Sequence, residues 1–120
     1  MRRWLVVCGI CLTLVSPVVA QWQYLAFEQV TVAAAAIGIT ATVLQPNGGG
    51  SSPQANVGTC RVETAQVRYR VDGGLPTTAI GTLAEIGDTI ALDGSDILRL
   101  FKAIRTGAVS AVLDCTVGMR

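Results

Sequence analysis

The sequence predicts an all-β protein built as a single antiparallel β-sandwich of about six to eight strands. Three observations carry this prediction. Short apolar stretches alternate with polar residues and end in glycine-containing turns. Only 14% of the residues are charged, which is too few for helices rich in Glu and Lys. A chain of 120 residues is long enough for one domain with its own core.

The clearest strand signal lies in residues 60–74, where apolar and charged side chains alternate. The residues predicted to face inward stand first at even and then at odd positions: Cys60, Val62 and Thr64, then Val67, Tyr69 and Val71. A shift of one residue in a strand reverses every side chain. The chain must therefore bulge, bend or change sheets at Ala65–Gln66.

The outward side chains of this stretch are a candidate docking face for a protein partner. They are Arg61, Glu63, Arg68, Arg70 and Asp72. The alternative is an ordinary solvated strand face, which such mixed charges also suit.

Residues 1–20 have the pattern of a secretory signal peptide, and residues 21–120 form the predicted domain. Arg2 and Arg3 precede a hydrophobic, helix-forming run at 4–15, and small residues end at Ala20, where cleavage is expected. An uncleaved membrane anchor and a misassigned translation start are the alternatives. Cleavage removes two of nine basic residues, which leaves seven against eight acidic ones and a net charge of −1. Such a balance does not favour nucleic acid as a partner.

The remaining elements follow from local patterns. Residues 21–27 are predicted as a first strand or as a lead-in that covers the core. Strands are predicted in 29–36 and 37–44, followed by a flexible Gly/Ser/Pro loop at 45–58. A short edge segment at 75–83 and a strand at 89–93 come next. A helical turn at 96–100, with Ser95 as its N-cap, leads into a strand at 101–105. The two-residue turn Thr106–Gly107 predicts a hairpin between that strand and the last one, at 108–117.

Two cysteines, Cys60 and Cys115, lie at inward positions of predicted strands. In an exported domain they are candidates for a disulfide, which would stabilise the fold by ~3–4 kcal/mol. The alternative is a pair of buried thiols that behave as small apolar side chains.

The sequence carries no pattern typical of a catalytic, metal or cofactor site, so we predict a protein that is not an enzyme and that binds no cofactor or small-molecule substrate. It contains no histidine and no phosphate-binding loop. Three acids, Asp88, Asp93 and Asp96, have the density of a calcium site, but Gly-Asp and Asp-Gly pairs are also usual turn residues. Trp22 and Tyr24 are the one aromatic pair that suits a sugar platform, with a place in the core as the alternative.

A family resemblance rests on residues 67–78 (VRYRVDGGLPTT), 101–107 (FKAIRTG) and 112–117 (VLDCTV). These residues resemble a small β-sandwich protein of tailed-phage genomes, of the head-decoration or capsid-associated type, over about 28–118. The first segment is also similar, more loosely, to the immunoglobulin-like accessory domains found beside chitobiase-type glycosidases. Both resemblances imply an immunoglobulin-like or jelly-roll-like sandwich, and neither supplies a catalytic residue.

The resemblance implies a non-enzymatic structural protein of a phage virion. Its expected partners are other virion subunits or further copies of itself, so a homo-oligomer is expected. The alternative function is an exported immunoglobulin-like binding or adhesion module, periplasmic or extracellular after cleavage. Contact with a membrane is expected only through residues 1–20, if that segment stays uncleaved.

Overall fold

The computed structural model describes residues 23–45 and 54–120, and in these ranges the chain forms seven strands and two short helices. The strands make two antiparallel sheets, which confirms the predicted all-β class. The elements are β1 Gln23–Val32, α1 Ala41–Leu44, β2 Val57–Glu63, β3 Val67–Arg70, β4 Thr82–Ala84, β5 Thr89–Asp93, α2 Ser95–Leu100, β6 Lys102–Arg105 and β7 Ala111–Met119. The larger sheet has the order β1-β7-β2-β5, and the smaller one has the order β4-β3-β6.

The parity break at Ala65–Gln66 marks the passage of the chain from one sheet to the other. β2 ends at Glu63 in the larger sheet, and β3 begins at Val67 in the smaller one. Thr64 has a φ of 68°, in the left-handed region, and the N–H of Ala65 donates to the carbonyl of Glu63 over 2.8 Å. The sharp turn lets Val62 and Val67, which lie at opposite parity, both be fully buried.

One hydrophobic cluster contains side chains from both sheets. The larger sheet contributes Val30, Val62, Leu92 and Leu113, among others, and the smaller sheet contributes Val67 and Ala103. Phe101, between α2 and β6, is the largest of the fully buried side chains, and its ring centroid lies 5.8 Å from that of Tyr69. The predicted strand at 89–93 is present as β5, with Ile90 and Leu92 buried as expected.

The predicted hairpin between the last two strands is wrong. β6 pairs with β3, whereas β7 pairs with β1 and β2, so the chain changes sheets again after Arg105. The helical turn and the strand that follows it are present as α2 and β6, although the N-cap is Gly94 and not Ser95. The alternation in both strands was correct, but alternation does not specify which strand is the neighbour.

The predicted strand at 37–44 is also wrong. Only Ile37 makes a bridge, with Ala103 of β6, and residues 41–44 form the single helical turn α1. The side-chain carboxylate of Glu28 accepts hydrogen bonds from the backbone N–H and the hydroxyl of Thr40, directly before α1. The Glu28 carboxylate thus accepts the backbone N–H of Thr40, in a segment where hydrogen bonds to a neighbouring strand were expected.

Within the described residues, the strands predicted at 21–27 and 29–36 are one strand, β1 Gln23–Val32, with a register shift between Tyr24 and Ala26, and residues 33–36 lie outside it. The loop predicted at 45–58 ends earlier than expected, because β2 already begins at Val57 and Ala55 is buried. The signal-like segment 1–20 lies outside the described residues, as do Trp22 and residues 46–53. None of the helices in the described ranges is long and apolar enough to cross a membrane.

Candidate interaction surfaces

The five residues predicted as a docking face do not come together on one surface. Arg61 and Glu63 lie on β2 of the larger sheet, whereas Arg68 and Arg70 lie on β3 of the smaller sheet and Asp72 follows β3. The change of sheet after Glu63 separates the two groups. Each group is therefore described as a surface of its own.

On the larger sheet, Arg61 and Glu63 form an ion pair with 3.1 Å between Nε and Oε1. In the ladder, Arg61 stands opposite Asp114 of β7 on one side and Thr89 of β5 on the other. The Arg61 side chain is 63% exposed, so the pair contributes only about 0–1 kcal/mol. These charges are solvated and leave the outer face of the sheet accessible.

On the smaller sheet, Arg70 and Asp72 form a two-pronged ion pair at the end of β3. Nε and Nη2 of Arg70 donate to the two carboxylate oxygens of Asp72 over 2.9 and 2.6 Å. The backbone N–H of Gly74 also donates to Asp72, over 3.1 Å. A Cβ on Gly74 would lie 2.4 Å from Cζ of Arg70, so the absence of a side chain there leaves room for the guanidinium.

These hydrogen bonds lower the pKa of Asp72 to about 2, with the Arg70 side chain as the main cause and the Gly74 N–H as the next. The folded-state pKa is thus below the ordinary value of ~3.9, so the charged pair stabilises the fold above that value. This contribution is lost as the pH falls through about 2.

We expect the Asp72 carboxyl to titrate near pH 2 in a carbon-13 NMR pH series, because the charged form accepts these hydrogen bonds more strongly than the protonated form does. Arg70→Gln should raise this midpoint toward that of an ordinary aspartate. Arg99→Gln is the matched control, because Arg99 pairs with the well-exposed Asp96 on α2. An unchanged Asp72 midpoint in Arg70→Gln would contradict the assignment.

Arg68 is committed to contacts within the chain. Its Nε donates to the carbonyl of Thr78 over 3.1 Å, and its Nη1 donates to the carbonyl of Gly81 over 2.9 Å. The same turn is held by Thr77, whose hydroxyl accepts from the N–H groups of Ala79 and Ile80. Arg68 thus fixes the segment before β4 against β3, where the sequence pattern suggested a free charge.

A depression of about 410 Å³ lies beside this turn. Its lining consists of Tyr69, Arg70, Val71, Asp72, Ile80, Gly81 and Thr82. Part of its wall is apolar, and the Arg70–Asp72 ion pair forms another part. This combination suits a peptide side chain or a loop of a partner protein.

Exposed apolar residues cluster in the same part of the chain. We name Leu75, Ile80, Leu83 and Ile86 the β4 strip, because they flank or belong to β4, and all four are exposed. β4 is an edge of the smaller sheet, and Leu83 stands opposite Arg68 in the ladder. The sequence pattern predicts a short edge segment at 75–83 but not the exposure of these side chains, since a short irregular segment has no alternation that separates inward from outward positions.

Two exposed aromatic residues on β1 form a second surface that the sequence pattern concealed. Tyr24 and Phe27 are three residues apart, which places them on opposite faces of a regular strand. The register shift between Tyr24 and Ala26 changes this, because Tyr24 stands opposite Gly118 and Phe27 opposite Thr116, two positions apart on β7. Both side chains therefore lie on the outer face of the larger sheet, 62% and 53% exposed.

Cys60 and Cys115 are bonded, with an S–S distance of 2.03 Å. They stand directly opposite each other on β2 and β7, with 4.0 Å between their Cα atoms, and both are fully buried. The bridge joins neighbouring strands of one sheet. It differs in this from the bridge of antibody domains, which joins the two sheets.

The three acids weighed as a calcium site are each used locally. Asp88 accepts the N–H of Glu85 in the turn before β5, Asp93 pairs with Arg120, and Asp96 pairs with Arg99. Within residues 23–45 and 54–120, no three potential metal ligands lie together.

No protein-family profile, curated protein or solved structure matches this chain. Function is therefore inferred from the surfaces described above.

Proposed function

We propose that this protein is a non-catalytic structural subunit of a phage virion, capsid-associated or decorating, which works through protein–protein contacts. The β4 strip carries the proposal. Four apolar side chains on or near an edge strand are exposed, and one of them, Ile80, also lines a depression of about 410 Å³; exposed apolar side chains of this kind suit a protein partner better than water. The resemblance of residues 67–78 to small tailed-phage proteins falls on the strand and turn that border this depression.

We further propose that the two sheets stack as an immunoglobulin-like or jelly-roll-like sandwich. The single core cluster with members from both sheets supports this arrangement. Four connections, those between β2 and β3, β4 and β5, β5 and β6, and β6 and β7, lead from one sheet to the other, as in sandwich topologies.

An exported immunoglobulin-like binding module is the second candidate, and the Cys60–Cys115 bridge favours it. Disulfides persist in oxidising surroundings, which include the periplasm, the cell exterior and the surface of a released virion. The bridge is thus compatible with both candidates, whereas cleavage after Ala20 distinguishes them.

Intact-mass spectrometry of the chain expressed with its full N-terminus tests the two candidates. A virion subunit is expected to keep residues 1–20 and to co-purify with particles when it is expressed with neighbouring capsid genes. An exported module is expected to lose residues 1–20 and to gain the mass of two hydrogens on reduction of Cys60–Cys115. A cleaved chain that never enters particles, or a gene placed in a cell-wall or glycosidase operon, would overturn the virion proposal.

A further inference from the structure

We propose that β1 pairs edge to edge with β1 of a second copy, across a two-fold axis at Gln29. This inference rests on the proposed function, since it names the partner and the contact of a self-associating subunit. It uses a different part of the molecule from the β4 strip.

The backbone of β1 has an open row on its outer edge. In an antiparallel sheet, each residue directs its N–H and C=O to one side, and successive residues alternate. The Cα atoms of Cys60 and Cys115 are 4.0 Å apart, which is the short distance of a pair that exchanges no backbone hydrogen bonds. In agreement with this, the N–H of Asn56 donates to the carbonyl of Gly118 from the β2 side, so Gly118 and the residues at its parity are the ones that face β2. Cys115 therefore directs its groups toward Glu28, its neighbour on β1. Backbone groups of alternate residues on β1 therefore face β7, and those of the residues between them face away from it. The residues whose N–H and C=O face away are Phe27, Gln29 and Thr31.

This row has a defined length. On one side it is bounded by the bulge between Tyr24 and Ala26. On the other side, the carbonyl of Ala33 accepts the N–H of Arg105 from β6. Within the described residues, no backbone hydrogen bond occupies the outer edge between these limits.

The row is complementary to itself. Its middle residue is Gln29, so a two-fold axis there places Gln29 opposite Gln29 of the second copy, and Phe27 opposite Thr31 of the second copy. All three side chains are exposed and uncharged. The pairing supplies about six backbone hydrogen bonds and two aromatic–β-branched contacts.

The other edges are less suited to a second copy. β6 is covered by Ile37 and Ala33, and β4 has three residues. β5 has five residues, and a two-fold axis at Ala91 places Thr89 opposite Asp93 of the second copy, a pair without the aromatic contact that Phe27 supplies in β1. In β1 the one charged residue of the open segment is Glu28, whose carboxylate is bound by Thr40. Edge strands without charge or proline are the ones that pair with other chains.

Sedimentation equilibrium of the full chain tests the proposal, with Gln29→Pro as the main variant. Proline removes the outward N–H of Gln29 and no backbone bond to β7, and edge strands tolerate it. It also removes the hydrogen bond from Nε2 of Gln29 to Oδ1 of Asp114 on β7, a contact between exposed side chains. The matched control is Ala91→Pro, which removes an outward N–H from β5, the opposite edge of the same sheet. We expect a dimer for the wild type and for Ala91→Pro, and self-association at least about tenfold weaker for Gln29→Pro.

Phe27→Lys is the second variant if Gln29→Pro does not fold, because it changes only an exposed side chain. It should weaken the dimer, whereas Ala91→Lys should not. A monomeric wild type, or a dimer that all four variants leave intact, would overturn the proposal. Such an outcome leaves the virion function standing, since incorporation into particles is scored separately. Conversely, a β1 dimer that never enters particles overturns the function and not the contact.

Discussion

Removal of the Cys60–Cys115 bridge by the double substitution Cys60→Ala/Cys115→Ala is expected to lower the free energy of unfolding by about 4 kcal/mol. The bridge links residues 55 positions apart, so it restricts a long loop of the unfolded chain. A domain of this size has a total stability of ~5–15 kcal/mol, so the loss is a large fraction of it. Urea titrations followed by circular dichroism measure the difference.

The single variants Cys60→Ala and Cys115→Ala supply the control. Each one already breaks the bridge, so the double variant should be only slightly less stable than either single variant. Losses that add, or a loss below about 1 kcal/mol in the double variant, would show that the two sulfurs are not bonded in solution. Because both residues are fully buried, reductant should reach the bridge only after the chain opens.

Truncation of Phe101 is expected to have the second large effect. Phe101→Ala should lower the free energy of unfolding by about 3–5 kcal/mol, because it leaves a cavity in the shared core beside Tyr69. Its backbone carbonyl also lies against Gly38, where a Cβ would come within 2.3 Å of that oxygen.

Ile86→Ala is the control for Phe101→Ala, because Ile86 is an apolar residue of the β4 strip that is 60% exposed. Its loss should be within about 0.5 kcal/mol. Thermal or urea unfolding of both variants checks the contrast. Equal losses in the two variants would mean that Phe101 does not lie in the core.

The sequence was informative where the signal is local. The parity break at Ala65–Gln66 predicted a bulge, bend or change of sheet, and the alternation at 89–93 predicted β5 with its buried side chains. The helix-spaced residues after Ser95 predicted α2. In each case one stretch contains the whole periodicity, so no knowledge of its neighbours is required.

The sequence was uninformative where the signal is distant. Nothing in 101–117 shows that β6 pairs with β3 and β7 with β1 and β2, since an inward face is the same in either pairing. The strand expected at 37–44 is absent, and Thr40 in this segment instead binds Glu28, twelve residues earlier, a contact that the local pattern does not contain. The candidate docking residues lie on two different sheets, and this too depends on distant contacts. The parity break predicted a change of direction at Ala65–Gln66, but it did not show which sheet each arginine would join.

The position of β7 in the larger sheet governs the order in which the protein assembles. β7 lies between β1 and β2, and these two strands do not pair with each other. β1 therefore has no partner strand in its sheet until residues 111–119 have been synthesised, whereas β2 can already pair with β5. Contacts between such distant segments make folding slow compared with that of proteins rich in local contacts. Oxidation of Cys60 to its native partner is subject to the same delay, so early oxidation of the nascent chain leads away from the native bridge.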